Sequence, residues 1–412
     1  MNPYFKFFEP PKTPNLLKWS QDNICLREGE KFRPYEYQKE ILECLTPGFK
    51  TASGAKIHTV VLLKSARVGR NAIIGCATSY FCQGKYQGNQ LLIESNADLA
   101  KNLIREDLQH VWRNSTISHV LKDTVDNTGK ASLLHKTYGS NYLTVVSATD
   151  ANALRMKTIH RLFMDEVSGF PISSKSEGDP IELAKVRQLT IPDRICYLGS
   201  TPLFTETCRI TQAFQEGDQR GFRVLCPSCN KKTTIEFEHL VYINDDPETT
   251  KWQCPICNDL IPYSEQAKMV ASGKWYATKK GVPGIASFRI WSGYTPHHST
   301  TWPRIIEQHL ISEKSQDQEK IRVFQKEWLG RPYQLPKENE EKDGQALIPF
   351  LDQSYKFNTL PSKVKFLTIG VDVQSDELHF AVYGFSDDYH HFSETGNGDL
   401  RMHRLLLLER QV

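Results

Sequence analysis

The stretch VVLLKSARVGRNAIIG (residues 60–75) carries the clearest local pattern in the chain. An apolar run precedes a short polar loop that contains a glycine, and a second apolar run follows. The pattern predicts a strand, a loop of phosphate size and the start of a helix, whose backbone N–H groups can surround an anion. Against the template G-x-x-x-x-G-K-[ST], Lys64 replaces the first glycine and Gly69 matches the second. Arg70 then stands at the lysine position and Asn71 at the hydroxyl position, so an ordinary strand-turn-helix with a basic loop is the alternative.

The composition is that of an ordinary globular chain. Its 412 residues allow two or three domains of roughly 100–200 residues each. A net charge of +3 permits a nucleic-acid partner without requiring one. No apolar run approaches the roughly 18 residues of a membrane span, and the N-terminus lacks the features of a signal peptide. We therefore expect the protein to work in a reducing cytoplasm. There, six scattered cysteines are expected in the core: Cys25, Cys44, Cys76, Cys82, Cys196 and Cys208.

Short apolar runs alternate with helical patterns after the loop. The predicted strands are QLLIESN (90–96), YLTVVSA (142–148), RLFMDE (161–166) and RICYLGSTP (194–202). Residues 97–112 have the periodicity of a helix. Strands that alternate with helices predict an α/β fold with a parallel sheet, whose ligand site lies at the carboxyl ends of the strands.

Two of these strands end in residues suited to nucleotide hydrolysis. At the end of RLFMDE, Asp165 can hold the water shell of Mg²⁺, and Glu166 can accept a proton from an attacking water. Adjacent acids are also common as solvated strand ends. The hydroxyls of Ser200 and Thr201 fit a sensor of the γ-phosphate, although a turn with a helix cap fits this segment equally well.

A helical pattern precedes the loop, in RPYEYQKEILECL (33–45). The simpler interpretation is an amphipathic helix with exposed polar ends. The functional interpretation is an adenine clamp, in which Tyr37 stacks on the base and the Gln38 amide reads its edge.

Two cysteine pairs, CPSC (226–229) and CPIC (254–257), form the pattern C-x₂-C-x₂₄-C-x₂-C. Each pair can bring two thiolates to one metal, and four thiolates close a tetrahedral site. Cys226, Cys229, Cys254 and Cys257 therefore predict a structural Zn²⁺ site in a ribbon, with redox-active or fortuitous pairs as the alternative.

The C-terminal part begins with the polar run LPKENEEKDGQ (335–345), which has the composition of an exposed linker. Beyond it, VKFLTIGVDVQSDELHFAVYGF (364–385) predicts a β-hairpin with Asp372 on its first strand and a turn at residues 375–377. The residues after Phe385 do not continue the alternating pattern.

These motifs, in this order, resemble the large terminase subunit of tailed bacteriophages, specifically the lambda-type GpA family. The resemblance covers roughly residues 30–385. It is carried by Tyr37-Gln38, KSARVG, SNADLAKNLIREDLQHVW, ANALRMKTIHRLFMDEVSGFP, YLGSTP, the two C-P-x-C pairs and GRPY. The resemblance implies ATP hydrolysis coupled to pumping double-stranded DNA into a preformed capsid shell, and an RNase H-like nuclease that cuts the concatemer.

The resemblance also implies roles for single residues. Terminase loops carry a basic residue at the front, which makes Lys64 the ligand of the β- and γ-phosphates. Arg67 is then placed to stabilise charge on the transferring phosphoryl group. The nucleotide-binding loop comprises Lys64, Ser65, Ala66, Arg67, Val68, Gly69, Arg70 and Asn71. Asn71 stands where the family carries Ser or Thr. Its neutral carbonyl differs from a hydroxyl in its reach toward Mg²⁺. Asp372 is implied as a Mg²⁺ or Mn²⁺ ligand of the nuclease.

We therefore predict a P-loop NTPase of the RecA/ASCE type: an α/β parallel sheet with a Cys₄ zinc-ribbon insertion and a truncated RNase H-like C-terminal segment. The predicted divisions are an arm (1–30), an ATPase domain (31–215), a zinc-ribbon and linker subdomain (216–334), a linker (335–362) and an incomplete nuclease (363–412). Since the family's nuclease is far longer, we expect a truncated chain with little or no DNA cleavage.

The expected cofactors are ATP, Mg²⁺ and Zn²⁺. By the resemblance, the expected partners are viral double-stranded DNA, the small terminase subunit, the portal or prohead, and further copies of the chain in a ring, in the cytoplasm of the bacterial host of a phage or prophage. One alternative is a nucleic-acid helicase, which shares the glutamine motif, the loop and the acid pair but needs a second RecA-like domain. The other is a non-catalytic, truncated prophage remnant.

Overall fold

The computed structural model describes residues 14–334, with short gaps at 27–28, 52–53, 126–130, 156–157 and 206, and then residues 362, 364–373, 377–385 and 391–399. The chain forms two compact units, Met1–Leu335 and Pro336–Val412. The division falls where the polar linker is predicted to begin, and the linker residues 335–361 lie outside the described part of the chain.

One large sheet organises the first unit, in the strand order β13-β8-β14-β1-β7-β6-β2-β5-β4-β3, with β9 paired to β8. A small antiparallel sheet has the order β10-β11-β12. The strands are β1 (Thr59–Lys64), β2 (Gln90–Glu94), β3 (Lys122–Val125), β4 (Ala131–Tyr138), β5 (Asn141–Ser147), β6 (Arg161–Asp165), β7 (Ile195–Ser200), β8 (Arg220–Leu225), β9 (Lys232–Thr233), β10 (Leu240–Ile243), β11 (Asp246–Gln253), β12 (Leu260–Pro262), β13 (Lys274–Tyr276) and β14 (Ile285–Ile290).

Helices follow most of these strands. They are α1 (Leu16–Asn23), α2 (Glu36–Cys44), α3 (Arg70–Tyr80), α4 (Ala97–Asn102), α5 (Gln109–Asn114), α6 (Ala151–Leu154), α7 (Pro180–Lys185), α8 (Arg209–Glu216), α9 (Gln266–Ala271), α10 (Trp302–Ser315) and α11 (Gln318–Val323). A π-helical segment, Leu103–Leu108, joins α4 to α5, which confirms the helix predicted over 97–112. A second π-helical segment, Phe324–Leu329, extends α11. None of the described helices is long and apolar enough to cross a membrane.

The centre of the sheet is parallel, as predicted. Strands β1, β7, β6, β2 and β5 run side by side in the same direction. Successive residues of β1 point to opposite faces: Val60 and Leu62 join one hydrophobic core, and Val61 and Leu63 join the other. Both faces are covered by apolar packing, and the strands end in polar residues that are themselves buried, among them Lys64, Asp165 and Ser200. This confirms the predicted α/β class and places the functional edge at the carboxyl ends.

The strand order brings distant parts of the sequence to that edge. Strand β7 lies between β1 and β6, so Leu63 pairs with Ser200, and Asp165 pairs with Gly199. The last residue of β1 is Lys64. The basic residue, the acid and the hydroxyl singled out in the sequence thus end neighbouring strands.

The predicted division between residues 215 and 216 is not a break in the sheet. Strand β14 pairs with β1 in parallel, and β8 joins β14 on the outer side. Segments assigned by sequence to a zinc-ribbon subdomain are therefore built into the same sheet as the loop. Helix α1, within the predicted arm, packs Leu16 and Trp19 into the core, whereas residues 1–13 lie outside the described residues.

The second unit contains an antiparallel sheet of β15 (Phe366–Val373), β16 (Glu377–Phe385) and β17 (His391–Asp399), in that order. The first two strands confirm the predicted hairpin, while its predicted turn lies mostly outside the described residues. The sequence did not predict β17, because its run ETGNG has low strand propensity. Backbone pairing with β16 holds this strand in place.

Candidate functional site

The loop after β1 depends on glycine at position 69. Gly69 has a φ of 82° and caps the N-terminus of α3, a conformation that side chains rarely adopt. A Cβ atom there would lie 2.3 Å from Nε2 of Gln38. Gly69 is therefore required both by the backbone turn and by the side chain packed against it.

Lys64 and Glu166 form the centre of the site. Lys64 is buried, and its Nζ lies 2.9 Å from Oε1 of Glu166. Burial by itself would raise the pKa of Glu166, but Lys64 and Arg70 outweigh it and lower the pKa to about 2. The other oxygen, Oε2, accepts hydrogen bonds from the Ser200 hydroxyl at 3.2 Å and the Thr201 backbone N–H at 3.3 Å. Four of the predicted site residues thus meet around one ionised carboxylate.

Arg70 contacts the other predicted acid. Its Nη1 donates to Oδ2 of Asp165 and lies 3.3 Å from Oε1 of Glu166. Its Nε donates to Oδ1 of Asn71 at 2.8 Å. Burial would lower the pKa of Arg70, but the two carboxylates more than offset this and raise it. The guanidinium is therefore a permanent cation between the groups that the sequence assigns to Mg²⁺.

Glu94 is a member of this cluster that the sequence analysis missed. It ends β2, beside β6, and is buried. Burial, together with the neighbouring Asp165, raises the pKa of Glu94 to about 10, so Glu94 is protonated and shares a hydrogen bond with Asp165. The signal was present in QLLIESN, a strand that ends in an acid just as RLFMDE does.

A cleft of about 680 Å³ opens over these residues. Arg67 lies at its exposed rim and donates a hydrogen bond to the Ser299 hydroxyl at 3.3 Å. The cleft is lined by Lys64, Ser65, Ala66, Arg67, Val68, Gly69, Arg70, Asn71, Ser95, Leu99, Glu166, Ser168, Gly169, Ser200, Thr201, Leu203, His297, Ser299, Lys326 and Glu327. Every residue of the predicted loop borders this space.

Two later segments of the chain hold the front of the loop, and no sequence pattern predicted either contact. The N–H of Ser65 donates to the carbonyl of Ile290 at 3.1 Å, and the N–H of Ala66 donates to that of Glu327 at 2.8 Å. The Ser65 hydroxyl contacts the Ser292 hydroxyl at 2.8 Å. These contacts direct two backbone donors away from the cleft, so an anion there would depend more on side-chain cations and on the back of the loop.

Tyr37 and Gln38 lie beneath the loop. Both side chains are buried. The Tyr37 hydroxyl and the Gln38 amide donate to the carbonyl of Val68 at 3.3 and 3.1 Å, and Gln38 accepts from the N–H of Tyr35. The predicted helix is present, and its Tyr-Gln pair supports the loop. Contact with an adenine base stays a prediction, and it would require these side chains to leave their present partners.

The oxygen donors near Asp165 fit a hard divalent cation such as Mg²⁺. Asp165 is fully buried; burial raises the pKa of its carboxyl group, and the neighbouring Arg70 acts in the opposite direction. The hydroxyl of Tyr197, also fully buried, interacts with the charges of Asp165 and Arg70 but has no hydrogen-bond partner among the described residues. A buried hydroxyl left unpaired beside a carboxylate is expected where a ligand or its water completes a site.

The four predicted cysteines meet in one cluster, whose sulfur atoms lie within 4.8 Å of one another. Two Sγ pairs are separated by 3.9 and 4.0 Å, close to the spacing of about 3.8 Å that tetrahedral Zn–S bonds of about 2.3 Å require. Each pair sits in a tight turn followed by an asparagine with positive φ, Asn230 or Asn258. The geometry is compatible with Zn²⁺. The other six cysteines form no disulfide. Five of them are buried as predicted, whereas Cys25 is only partly buried, so its predicted place in the core is wrong.

Asp372 lies on β15 in the second unit, and its side chain is exposed. It is the residue implied for the nuclease, and nothing in the hairpin by itself tests that role.

Two family sequence models match the chain in succession. The family described as "Phage terminase large subunit gpA, ATPase domain" matches residues 31–275, more than half of the chain. The family described as "Terminase large subunit gpA, endonuclease domain" matches residues 285–394. The second match begins at β14, so its first part lies in the sheet of the first unit.

Two curated relatives are similar over most of this chain. The large terminase subunit of Enterobacteria phage P21 is 24% identical and covers 90% of the chain, which spans 60% of that relative. The large terminase subunit of Escherichia phage lambda is 22% identical and covers 91% of the chain, which spans 61% of it. The chain thus spans about three fifths of the length of these relatives.

Two solved structures are similar at low identity. The large terminase ATPase domain of Thermus phage P74-26 is 14% identical with a TM-score of 0.37, covering 73% of this chain and 99% of that one. The large terminase of bacteriophage HK97 is 12% identical with a TM-score of 0.44, covering 93% and 67%. With the family match over more than half of its length, this chain belongs to the gpA family of phage terminase large subunits.

Proposed function

We propose that this chain is the ATPase part of a viral DNA-packaging motor, which couples ATP hydrolysis to moving double-stranded DNA into a prohead. The ion pair between Lys64 and Glu166, at the carboxyl ends of β1 and β6, is the observation that carries the proposal. A lysine, the proposed phosphate ligand, and a carboxylate, the proposed base, lie together at one edge of a parallel sheet, beside a cleft of about 680 Å³.

The ion pair suggests how bound nucleotide frees Glu166 to act as the base. The Lys64 ammonium lies against the Glu166 carboxylate and neutralises it. Phosphate oxygens compete for the same ammonium, because an anion with several charges attracts it more strongly than one carboxylate does. Once Lys64 turns to the phosphates, Glu166 can accept the proton of an attacking water. Arg67 lies at the rim of the cleft, and its proposed role is to stabilise charge on the transferring group.

Asp165 and the side-chain oxygen of Asn71 are the residues that would hold Mg²⁺ in this site. The ion would supply charge neutralisation on the phosphate oxygens. Asn71 replaces the usual hydroxyl, and its amide is a neutral oxygen donor that hard cations accept.

Ser200 and Thr201 are proposed to transmit the state of the site to the rest of the sheet. Both donate to the carboxylate of Glu166 from the end of β7. A change in the charge or position of Glu166 therefore changes the hydrogen bonds of the segment that follows β7. That segment reaches the end of the first unit, since the Thr205 N–H donates to the Tyr333 carbonyl at 3.0 Å.

We further propose that the four-cysteine cluster holds one structural Zn²⁺ in a zinc-ribbon insertion, and that the second unit is the start of an RNase H-like nuclease with Asp372 as a metal ligand. Viral DNA, the small terminase subunit and the portal or prohead are the proposed partners, with several copies of the chain forming a ring. The proposed location is the cytoplasm of a bacterial host. Family membership favours the packaging motor over the helicase.

A DNA-stimulated ATPase assay on the purified chain tests the motor proposal. Glu166→Gln keeps the size of the side chain but cannot accept the proton, so turnover should fall by about 10²–10⁴-fold. Glu327→Gln is a matched control, because Glu327 lines the same cleft and pairs with Lys326 instead of Lys64. Absence of turnover in the wild type, with DNA and a small subunit both present, would reject the proposal and leave the non-catalytic remnant.

A further inference from the structure

We propose that Arg70 is a built-in counter-ion of Asp165, which competes with a divalent cation for this carboxylate. The inference rests on the proposed function for its assignment of Asp165 to the cation. It adds a role for Arg70 that the loop motif does not supply.

The contacts of one guanidinium carry the inference. Arg70 donates through Nη1 to Asp165 and Glu166, and through Nε to Asn71. Asp165 and Asn71 are the residues proposed to hold the cation, and Glu166 is the proposed base next to them. A single guanidinium therefore hydrogen-bonds to oxygen atoms that could otherwise, together with water, surround a six-coordinate cation.

The position of Arg70 in its helix supports a role beyond ordinary packing. It is the first residue of α3, where the helix dipole favours anions and disfavours cations. Its side chain is largely buried, with 21% exposed. Both features would oppose a cation here, and the acidic side chains from β6 offset them. Arg70 is thus held in place by the acids rather than by its own helix.

The two cations exclude each other. A divalent ion bound to Asp165 would lie within a few ångströms of the guanidinium, and like charges at that distance repel strongly inside a protein. Arg70 borders the cleft, so its fork can turn from Asp165 to phosphate oxygens, which it binds with two parallel hydrogen bonds. Binding of metal and nucleotide would then move Arg70 from carboxylate to phosphate.

The Tyr197 hydroxyl provides an independent observation. It is fully buried near Asp165, yet it has no hydrogen-bond partner in the described part of the chain. A cation with bound water in place of Arg70 would offer this hydroxyl a partner.

Binding of Mn²⁺ to the nucleotide-free chain, followed by electron paramagnetic resonance, tests the inference directly. Arg70→Gln removes the competing charge, so Mn²⁺ should bind at least about tenfold more tightly than to the wild type, an equilibrium change of about 1.4 kcal/mol. Arg67→Gln removes the same charge from the same loop without touching the acids, and it should change the affinity by less than about twofold. Equal or weaker binding by Arg70→Gln would overturn the proposal.

Thermal unfolding provides a second readout if Arg70→Gln is unstable, as breaking a buried ion pair can make it. The variant should unfold at a lower temperature than the wild type in EDTA and recover most of the difference in saturating Mn²⁺. Asp165→Asn in the same background should abolish that recovery. Loss of stability without recovery would show that Arg70 is a structural ion-pair partner only.

These measurements use no nucleotide, so the two proposals can fail separately. A wild type without ATPase activity, combined with tighter Mn²⁺ binding by Arg70→Gln, would reject the motor and leave the counter-ion role standing. An active wild type whose Mn²⁺ affinity is insensitive to Arg70 would reject only the counter-ion role.

Discussion

The cysteine cluster and the charged cluster at the sheet edge are assembled in different ways. The cysteines come from two tight turns, and the spacing within each turn is visible in the sequence. The charged cluster draws Lys64, Arg70, Glu94, Asp165 and Glu166 from three strands and a helix start. The first joins the turns of two hairpins, β8–β9 and β11–β12, whereas the second exists only because β7 and β6 follow β1 in the sheet. A substitution in the cysteine cluster should therefore affect one metal site only. A substitution in the charged cluster should change the charge, the packing and the proposed catalytic residues together.

The largest expected effect is loss of the metal from the cysteine cluster. Wild-type protein should contain about one zinc per chain, and Cys226→Ser should contain almost none, because three thiolates leave the tetrahedral site open. Binding of structural zinc is worth about 10–16 kcal/mol in small domains, so the region around β10–β12 should become sensitive to protease. Elemental analysis and limited proteolysis measure both changes.

Cys25→Ser is the control for that experiment, since Cys25 lies outside the cluster. It should keep its zinc and its protease resistance. Full zinc content in Cys226→Ser would contradict the Cys₄ assignment.

The next effect concerns the charged cluster. Lys64→Ala removes the proposed phosphate ligand, and it leaves Glu166 without its nearest cation. We expect ATP turnover to fall by about 10³-fold, in the range seen when a charged group is removed from phosphoryl transfer. Zinc content should not change, because the two clusters are built independently.

Steady-state ATPase kinetics with DNA measure the loss. Lys326→Ala is the matched control, because Lys326 lines the same cleft and pairs with Glu327. If both lysine variants lost activity equally, Lys64 would have no special role.

A smaller effect is expected from the turn that positions the loop. Gly69→Ala places a Cβ at positive φ and against Nε2 of Gln38, so it should destabilise the first unit by about 2–3 kcal/mol. Gly84→Ala has a similar φ of 75° but meets nothing within 4 Å, and should cost only about 1 kcal/mol. Denaturant unfolding compares the two.

Combining Gly69→Ala with Gln38→Ala separates the two causes. The double variant should recover the part of the loss that comes from the clash with Gln38. Equal losses for Gly69→Ala and Gly84→Ala would show that the contact with Gln38 is unimportant.

The smallest effect is a pH dependence from Glu94. The pKa of Glu94 is raised from 4.5 to about 10, so folding favours the protonated form. This contribution is fully present below about pH 4.5 and is lost as pH rises toward 10. Gln resembles the protonated acid at every pH. Glu94→Gln should therefore be more stable than the wild type at pH 8, with the difference closing below about pH 5.

Thermal unfolding across pH measures this difference, and Glu182→Gln, on an exposed acid of α7, is the control that should show none. A lower stability of Glu94→Gln at pH 8 would mean that Glu94 is ionised and paired in the folded chain.

Much of the site could be predicted because its chemistry requires particular residue types in short patterns. Gly69 marks the turn, the acids of RLFMDE mark a strand end, and the cysteine spacing marks a metal site. The positions of Tyr37 and Gln38 could not be predicted. Their residue types suit both base recognition and support of a loop, and only packing against Val68 distinguishes the two in this structure.

The chain's local patterns determined its elements and candidate chemistry: the parallel α/β class, the loop, the adjacent acids and the four thiols all follow from short-range periodicity and spacing. Tertiary structure alone decided which of these groups meet. Strand order brought Glu94 beside Asp165, and it set β14 against β1, although Lys64 and its partner Ile290 are 226 residues apart in the sequence. Arg70 became the counter-ion of Asp165 for the same physical reason. Electrostatic and packing energies depend on distance in space, which sequence spacing does not report for residues on different strands.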